Sequence, residues 1–177
     1  MDRITELKIL KWGCIRVARR KRRMIGSFFN PKSPPISNEK FEEIISGFEN
    51  ERVFVHVGLS DVKKAFSGNP YKFLLKRLSE NFECIMAPGF TPSFRDSGIY
   101  HRQFSRPEYG MFSKLFQKDA DYRTKDAIHS ILVKGDYDFS KCDHLDSFGP
   151  TSCWHNLDTN NILCLNIGTQ EFLTTQI

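Results

Sequence analysis

Six residues within eight consecutive positions, Arg123, Thr124, Lys125, Asp126, His129 and Ser130, could do chemistry together. They belong to the stretch YRTKDAIHSILVKG, residues 122–135. Two fixed cations, two hydroxyls, a carboxylate and an imidazole lead into an apolar run of strand character, residues 128–133. A strand that only filled a core would not need such company. The set suits the binding of an anionic ligand and the handling of a proton at one place.

The elements that must position this cluster can be followed along the chain. Ser37 is placed to cap a short amphipathic helix over residues 39–48. RVFVHVG, residues 52–58, reads as a buried strand stopped by glycine, and residues 59–66 and 71–82 read as helices separated by SGNP. CIMAPGF, residues 84–90, is a second strand ended by Pro88-Gly89. Residues 91–107 are irregular, aromatic and polar, too long for a connector, and are expected to face substrate. A short helix over 110–117, a third strand over 128–133, a helical turn over 152–157 and a fourth strand over 162–168 complete the order. Strands alternating with helices imply an α/β domain with a largely parallel or mixed sheet.

Ligands of such sheets sit beyond the carboxyl ends of the strands. VHVGLS, residues 55–60, and APGFTPSF, residues 87–94, are two such ends. Both carry glycine turns that let backbone N–H groups approach a ligand, and the first opens a helix N-terminus. Neither is a P-loop or a GxGxxG turn, so each alone reads as an ordinary strand-to-helix connection. His56, alternating with Val55 and Val57, is by itself more often a core histidine than a catalyst. Five cysteines, Cys14, Cys84, Cys142, Cys153 and Cys164, contain no CxxC or CxxxC pair, which argues against a disulfide framework or a zinc site. Cys84 and Cys164 lie in apolar strand-like runs and read as small buried hydrophobes. Cys153, beside Ser152 and His155, is a weak nucleophile candidate because no base is evidently set against it.

Length and composition fit one packed globular domain. The chain has 177 residues, 40% of them hydrophobic and 13% aromatic. No apolar run approaches the ~18–20 residues of a membrane span, and charges at Asp2, Arg3, Glu6, Lys8 and Lys11 interrupt any signal-peptide core. The expectation is an intracellular, cytoplasmic protein. Its net charge of +5 is unevenly placed: residues 1–30 hold nine Lys/Arg against two acids, +7, which leaves −2 for the rest. In this segment Ile4, Leu7, Ile9, Leu10, Trp12, Ile15 and Val17 interleave with the cations, and RRKRR closes it. Residues 3–23 thus look like an amphipathic segment that could rest on anionic lipid at the inner face of a membrane. A nucleic-acid patch and a solvated basic extension compete with that reading. The body offers no basic face to continue a nucleic-acid contact, so no nucleic-acid partner is expected. FFNPKSPPIS, residues 28–37, reads as a linker. The division is therefore a basic extension with its Pro-rich linker over 1–37 and a domain over 38–177.

Taken in order, VHVGLS, APGFTPSF, SRPEYGMFSKLF, YRTKDAIHSILVKG, FGPTSCWHNL and NILCLNIGT resemble the aminoglycoside 3-N-acetyltransferase family, from about Arg52 to the last residue. The resemblance implies a three-layer α/β/α fold with a central mixed sheet. It also implies an enzyme that transfers acetyl from acetyl-CoA to an amino group of an amino sugar, either an antibiotic or a surface-polysaccharide precursor. Carried over residue by residue, His56, Gly58, Leu59 and Ser60 match the turn along the pantetheine arm of the cofactor. Arg123, Thr124, His129 and Ser130 match an Arg-Ser/Thr then His-Ser pattern lining the same site, and Ser152, with Trp154, matches a turn near it. Arg supplies forked donors for phosphate and the hydroxyls add neutral hydrogen bonds. No metal is implied.

Three departures bear on the substrate and the chemistry. Antibiotic-modifying members often have His-Pro where this chain has Asp126-Ala127, and Glu where it has Lys114; both differences weigh against a polycationic aminoglycoside. The family's Thr-rich turn leads into a catalytic His followed by an acidic residue, whereas Gly168-Thr169 here leads to Thr174, Thr175, Gln176 and Ile177. The expected catalytic His falls just beyond Ile177. The resemblance thus implies a C-terminally incomplete acetyltransferase of little turnover, with sheet or core surface left uncovered. Another reading is a catalytically inactive CoA-binding or membrane-associated module, and a third is a thiol hydrolase using Cys153.

Overall fold

The structure is a computed structural model and describes residues 36–169. The basic segment over 3–23, most of the Pro-rich linker and the Thr-rich end beyond Thr169 lie outside the described residues. Ser37 does cap the first helix, α1 (Asn38–Ser46), its hydroxyl accepting from the Lys40 N–H at 3.2 Å. Phe41 and Ile45, one turn apart, are the buried face of that helix. The chain continues through β1 (Arg52–Val57), α2 (Leu59–Ala65), α3 (Pro70–Asn81) and β2 (Cys84–Pro88). Pro70 at the first turn of α3, with the Asn69 side chain accepting from Tyr71 and Lys72, makes a well-specified helix start. After β2 come the single turn α4 (Phe94–Ser97), α5 (Met111–Phe116), the two-residue β3 (Tyr122–Arg123), β4 (Ile131–Lys134), α6 (Cys153–Thr159) and β5 (Leu163–Ile167).

The five strands form one mixed sheet in the order β3-β4-β2-β1-β5. β2 and β5 flank β1 in parallel, with Val53 opposite Ile85 on one side and Leu163 on the other. β4 runs antiparallel to β2, and Ile131 at its start pairs with Pro88 at the end of β2. The period of two along the strands sorts their side chains to two faces. Val53, Val55, Ile85, Ala87 and Leu132 go to one face and meet α1, α2, α3 and α5 through Phe41, Val62, Leu74, Leu78, Phe112 and Phe116. Phe54, Cys84, Met86, Ile131 and Val133 go to the other and meet Cys153, Trp154 and Leu157 of α6. The result is the α/β/α arrangement with a central mixed sheet that the segment order implies.

Three local expectations are corrected. The third strand begins at Ile131, not at residue 128: residues 127–129 form a turn, because an Asp126 carboxylate oxygen accepts from the Ile128 and His129 N–H groups at 2.8 Å each. Ahead of that turn lies a strand not expected from sequence, β3, paired antiparallel to β4. Cys164 is exposed rather than buried, because β5 is an edge strand whose residues alternate between partial burial and exposure.

Candidate functional site

The carboxyl ends of β1 and β2 and the start of antiparallel β4 fall at the same edge of the sheet, so the β3–β4 turn with His129 and Ser130 stands beside Pro88-Gly89. The Gly89 N–H donates to the Ser130 carbonyl at 2.7 Å, fixing the two segments together. α6 closes the same edge: the Trp154 indole N–H donates to the His129 carbonyl at 2.7 Å. Ser152 caps that helix, its hydroxyl accepting from His155 N–H at 3.1 Å, and is itself buried.

Arg123 is the centre of the wall. Only 4% exposed, it donates Nε–H to Ser130 Oγ at 2.8 Å and an Nη2–H to Thr91 Oγ1 at 2.6 Å, and it also donates to the Gly89 and Ser105 carbonyls. Those contacts occupy four of the five N–H donors of a guanidinium. Its guanidinium carbon lies 5.1 Å from the centre of the Tyr100 ring. Every partner is neutral, and among the described residues no carboxylate pairs with it. Burial accordingly pushes its pKa down, with Tyr100 opposing. Arg123 therefore ties β2, β3, β4 and the loop before α5 together, and also places an uncompensated positive charge beneath the edge of the sheet. Ser130, fully buried, donates to the Gly89 carbonyl at 2.9 Å. The buried Thr124 extends the ladder, its hydroxyl accepting from Ile131 N–H at 2.9 Å.

His56, on the α6 side of β1, is 6% exposed and packs edge-on against Phe54 at 5.1 Å. Among the described residues its ring meets no hydrogen-bond partner, and burial lowers its pKa to about 4. It is a neutral imidazole with open hydrogen-bonding capacity at the end of a central strand. The turn that follows is tight. Gly58 N–H donates to Ile167 O at 2.8 Å, and a Cβ at Gly58 would overlap the Gly168 carbonyl oxygen. Leu59 is buried beneath this turn and Ser60 is exposed on it.

His129 is held differently. Its Nδ1 lies 2.9 Å from Ser147 Oγ, and the Ser147 hydroxyl donates to the second Asp126 oxygen at 2.5 Å. Rings of Phe90, edge-on at 5.5 Å, and Phe148, at 4.8 Å, enclose the imidazole. Burial holds it below its ordinary pKa; Asp126 pulls the value up and Arg95 pushes it down. Ser147 has no signal in the sequence: it lies in an irregular loop, 21 positions from the aspartate it bonds. His144 is equally unannounced. Its Nδ1 lies 3.3 Å from the Cys153 sulfur, so a histidine does stand against that thiol. Cys153 is nonetheless buried, and desolvation drives its pKa far upward, which leaves a neutral thiol rather than an activated thiolate. Among the described residues no group of His, Cys, Asp and Glu side chains is arranged to hold a metal ion, and no helix is long and apolar enough to cross a membrane.

No protein-family model and no curated protein sequence matches the chain. Solved structures do. One, described as AAC-IIIb binary with CoASH, superposes with a TM-score of 0.59 at 13% identity, over 74% of this chain and 59% of that one. Another, the YokD protein from Bacillus subtilis, superposes with a TM-score of 0.53 at 15% identity, over 66% of this chain and 57% of that one. At such identities the likeness shows the fold, a mixed five-stranded α/β sheet with helices. The present chain spans less than two thirds of either of these structures.

Proposed function

We propose that the chain is an acetyl-CoA-dependent N-acetyltransferase fold whose acceptor is an amino group of an amino sugar. The observation that carries this reading is the convergence of the recognised segments. VHVGLS, APGFTPSF, YRTKDAIHSILVKG, FGPTSCWHNL and NILCLNIGT, far apart in sequence, meet at one sheet edge through the β1–β2 pairing and the Gly58–Ile167, Gly89–Ser130 and Trp154–His129 hydrogen bonds. Ligands of α/β sheets bind at that edge, and a structure of the same fold is described as a binary complex with CoASH.

The residues present fit an anionic, amide-bearing ligand. The turn from Gly58 to Ser60 and the imidazole of His56, without a hydrogen-bond partner among the described residues, suit the neutral pantetheine arm. Arg123, Thr124, Ser130 and Ser152 shape the wall, their own hydrogen bonds being spent within the protein, and the buried guanidinium supplies a fixed positive potential. Arg95 and Lys125, exposed near His129 and His144, are the cations positioned to meet phosphate. Acetyl-CoA, when bound, supplies a thioester-activated acetyl group. The protein's part is to hold it, to orient the amine and to accept a proton.

Calorimetric titration of the full chain with CoA, followed by an assay of acetyl transfer to an amino sugar, tests this. Saturable binding and acetyl-CoA-dependent N-acetylation are expected. No heat of binding, together with no rise in the unfolding temperature under saturating CoA, would overturn the reading.

A further inference from the structure

The loop between α4 and α5 is pinned from several sides, yet it leaves its apolar side chains in the open. The Tyr100 hydroxyl donates to the Thr124 carbonyl at 3.3 Å, and Gln117 Nε2 donates to the Gln103 and Ser105 carbonyls at 3.0 Å each. Arg123 donates to the same Ser105 carbonyl. Within the loop the His101 N–H donates to Ser105 Oγ at 2.9 Å, and the Ser105 N–H returns to the His101 carbonyl at 2.8 Å. The His101 ring is oriented as well. Its Nδ1 accepts from the Gln103 and Phe104 N–H groups at 3.2 Å each, and it stacks on Phe104 with ring centres 4.5 Å apart. On this fixed support Ile99 is 77%, Phe104 75% and Tyr109 56% exposed. Exposed apolar groups held rigidly make a preorganised binding surface, not a slack connector.

The loop reaches the ligand edge. Glu108 N–H donates to the Phe90 carbonyl at 2.8 Å, just past β2, and a Cβ at Gly110 would stand 3.9 Å from the Val57 carbonyl oxygen at the end of β1. Gln117 ties it to α5, which covers the sheet face opposite α6. Its charge is one-sided: residues 98–107 hold Arg102 and Arg106 and no acid. Both arginines are exposed, and among the described residues neither enters an ion pair, whereas Lys40, Lys64, Lys76 and Arg77 of α1–α3 all do. Of the flanking acids, Asp96 is exposed on α4 and the Glu108 carboxylate accepts from Ser93 N–H at 2.9 Å. Lys114 on α5 adds another exposed cation. We propose that this loop is the acceptor platform and that the acceptor is an amino sugar carrying a negative charge, phosphate or carboxylate. Arg102 and Arg106 bind the anion, and the exposed rings pack on the apolar face of the sugar. This rests on the acetyltransferase reading and deepens it. Forked guanidinium donors suit phosphate and carboxylate alike, and a polycationic antibiotic would meet repulsion at the same place.

Calorimetric titration of amino sugars into the 177-residue chain saturated with CoA tests this without needing turnover. Glucosamine 6-phosphate and glucosaminuronic acid distinguish phosphate from carboxylate; glucosamine lacks the anion, and kanamycin is a polycation. At least one anionic sugar should bind about tenfold or more tighter than glucosamine, with kanamycin weakest, and the tighter of the two identifies the anion. The double variant Arg102→Gln/Arg106→Gln should lose that advantage by about tenfold or more, as loss of hydrogen bonds to a charged group does. Each single substitution should give part of the loss, which keeps the test open if the double variant fails to fold. Lys40→Gln, which removes one charge from α1, should keep the preference. Glucosamine or kanamycin bound as tightly as both anionic sugars would sink the proposal, and so would a double variant that keeps the wild-type preference. Protein that binds CoA but neither anionic sugar also sinks it and leaves CoA binding standing. Failure of the wild type to bind CoA at all removes both.

Discussion

The two buried bases of the sheet edge, Arg123 and His56, do different physical work. Arg123 pins four segments through neutral acceptors, so its loss leaves the Gly89 and Ser105 carbonyls facing a buried void. Lysine cannot replace it: an ammonium is a point charge with no planar fork to reach Ser130, Thr91 and two carbonyls at once. Arg123→Lys should therefore cost about 2–4 kcal/mol of unfolding free energy, since each buried polar group left unpaired costs ~1–3 kcal/mol. Urea denaturation at pH 7.5 measures this, and an unchanged midpoint would show that the clamp contributes nothing. For His56 the sign follows from its depressed pKa. Folded protein keeps the ring neutral down to about pH 4, whereas the unfolded chain takes up a proton near its ordinary value, about 6.5. The contribution to stability is complete above that ordinary value and is lost as pH falls toward 4, amounting to about 3 kcal/mol by pH 4. The difference in unfolding free energy between wild type and His56→Gln should shrink by that amount from pH 7.5 to pH 4. A difference independent of pH would contradict the buried, neutral placement.

The elements of the fold were largely legible in the sequence where the signal is local. The cap at Ser37, the SGNP break, the apolar runs of β1 and β2, and the glycine and proline stops place helices and strands within a residue or two. What failed was decided by contacts that leave no period in the sequence, one of them local and the others between distant positions. Ile128 looks like strand, but the Asp126 carboxylate draws its N–H and the next one into a turn. β3 is too short to leave a periodic trace and exists through pairing with Val133 and Leu132. Cys164 shares the apolar pattern of a buried strand, yet its exposure is set by β5's place at the sheet edge. Legibility of the site divides the same way. The residues around Asp126 and His129 stand out as a cluster, whereas Ser147, which joins them, and His144, which meets Cys153, come from a loop without pattern. One element contact is sharp enough to test. Gly58 and Gly168 bring the ends of β1 and β5 so close that a Cβ on the former meets the latter's carbonyl oxygen. Gly58→Ala should destabilise the fold by roughly 1–3 kcal/mol, the usual cost of overpacking. A wild-type unfolding temperature in that variant would show that the strand ends are free to separate.

At the scale of the whole molecule, fold and charge point to different places. The basic excess lies in residues 1–30, while the remainder of the chain sums to −2, so any attraction of the described domain for an anion must come from where its cations stand. Among the described residues Arg123 is buried without a carboxylate partner, and two exposed cations, Arg95 and Lys125, stand near His129 and His144. The sheet edge beside His129 is where parallel strands of an α/β sheet present ligands, and the fold is that of a structure solved with CoASH. We propose that this edge binds CoA. Calorimetric titration of CoA into the 177-residue chain is the decisive measurement. Saturable binding at one site per chain, weakened as ionic strength rises because phosphate contacts are screened, is the predicted result. The absence of any saturable binding at low salt by a protein that is demonstrably folded would contradict it.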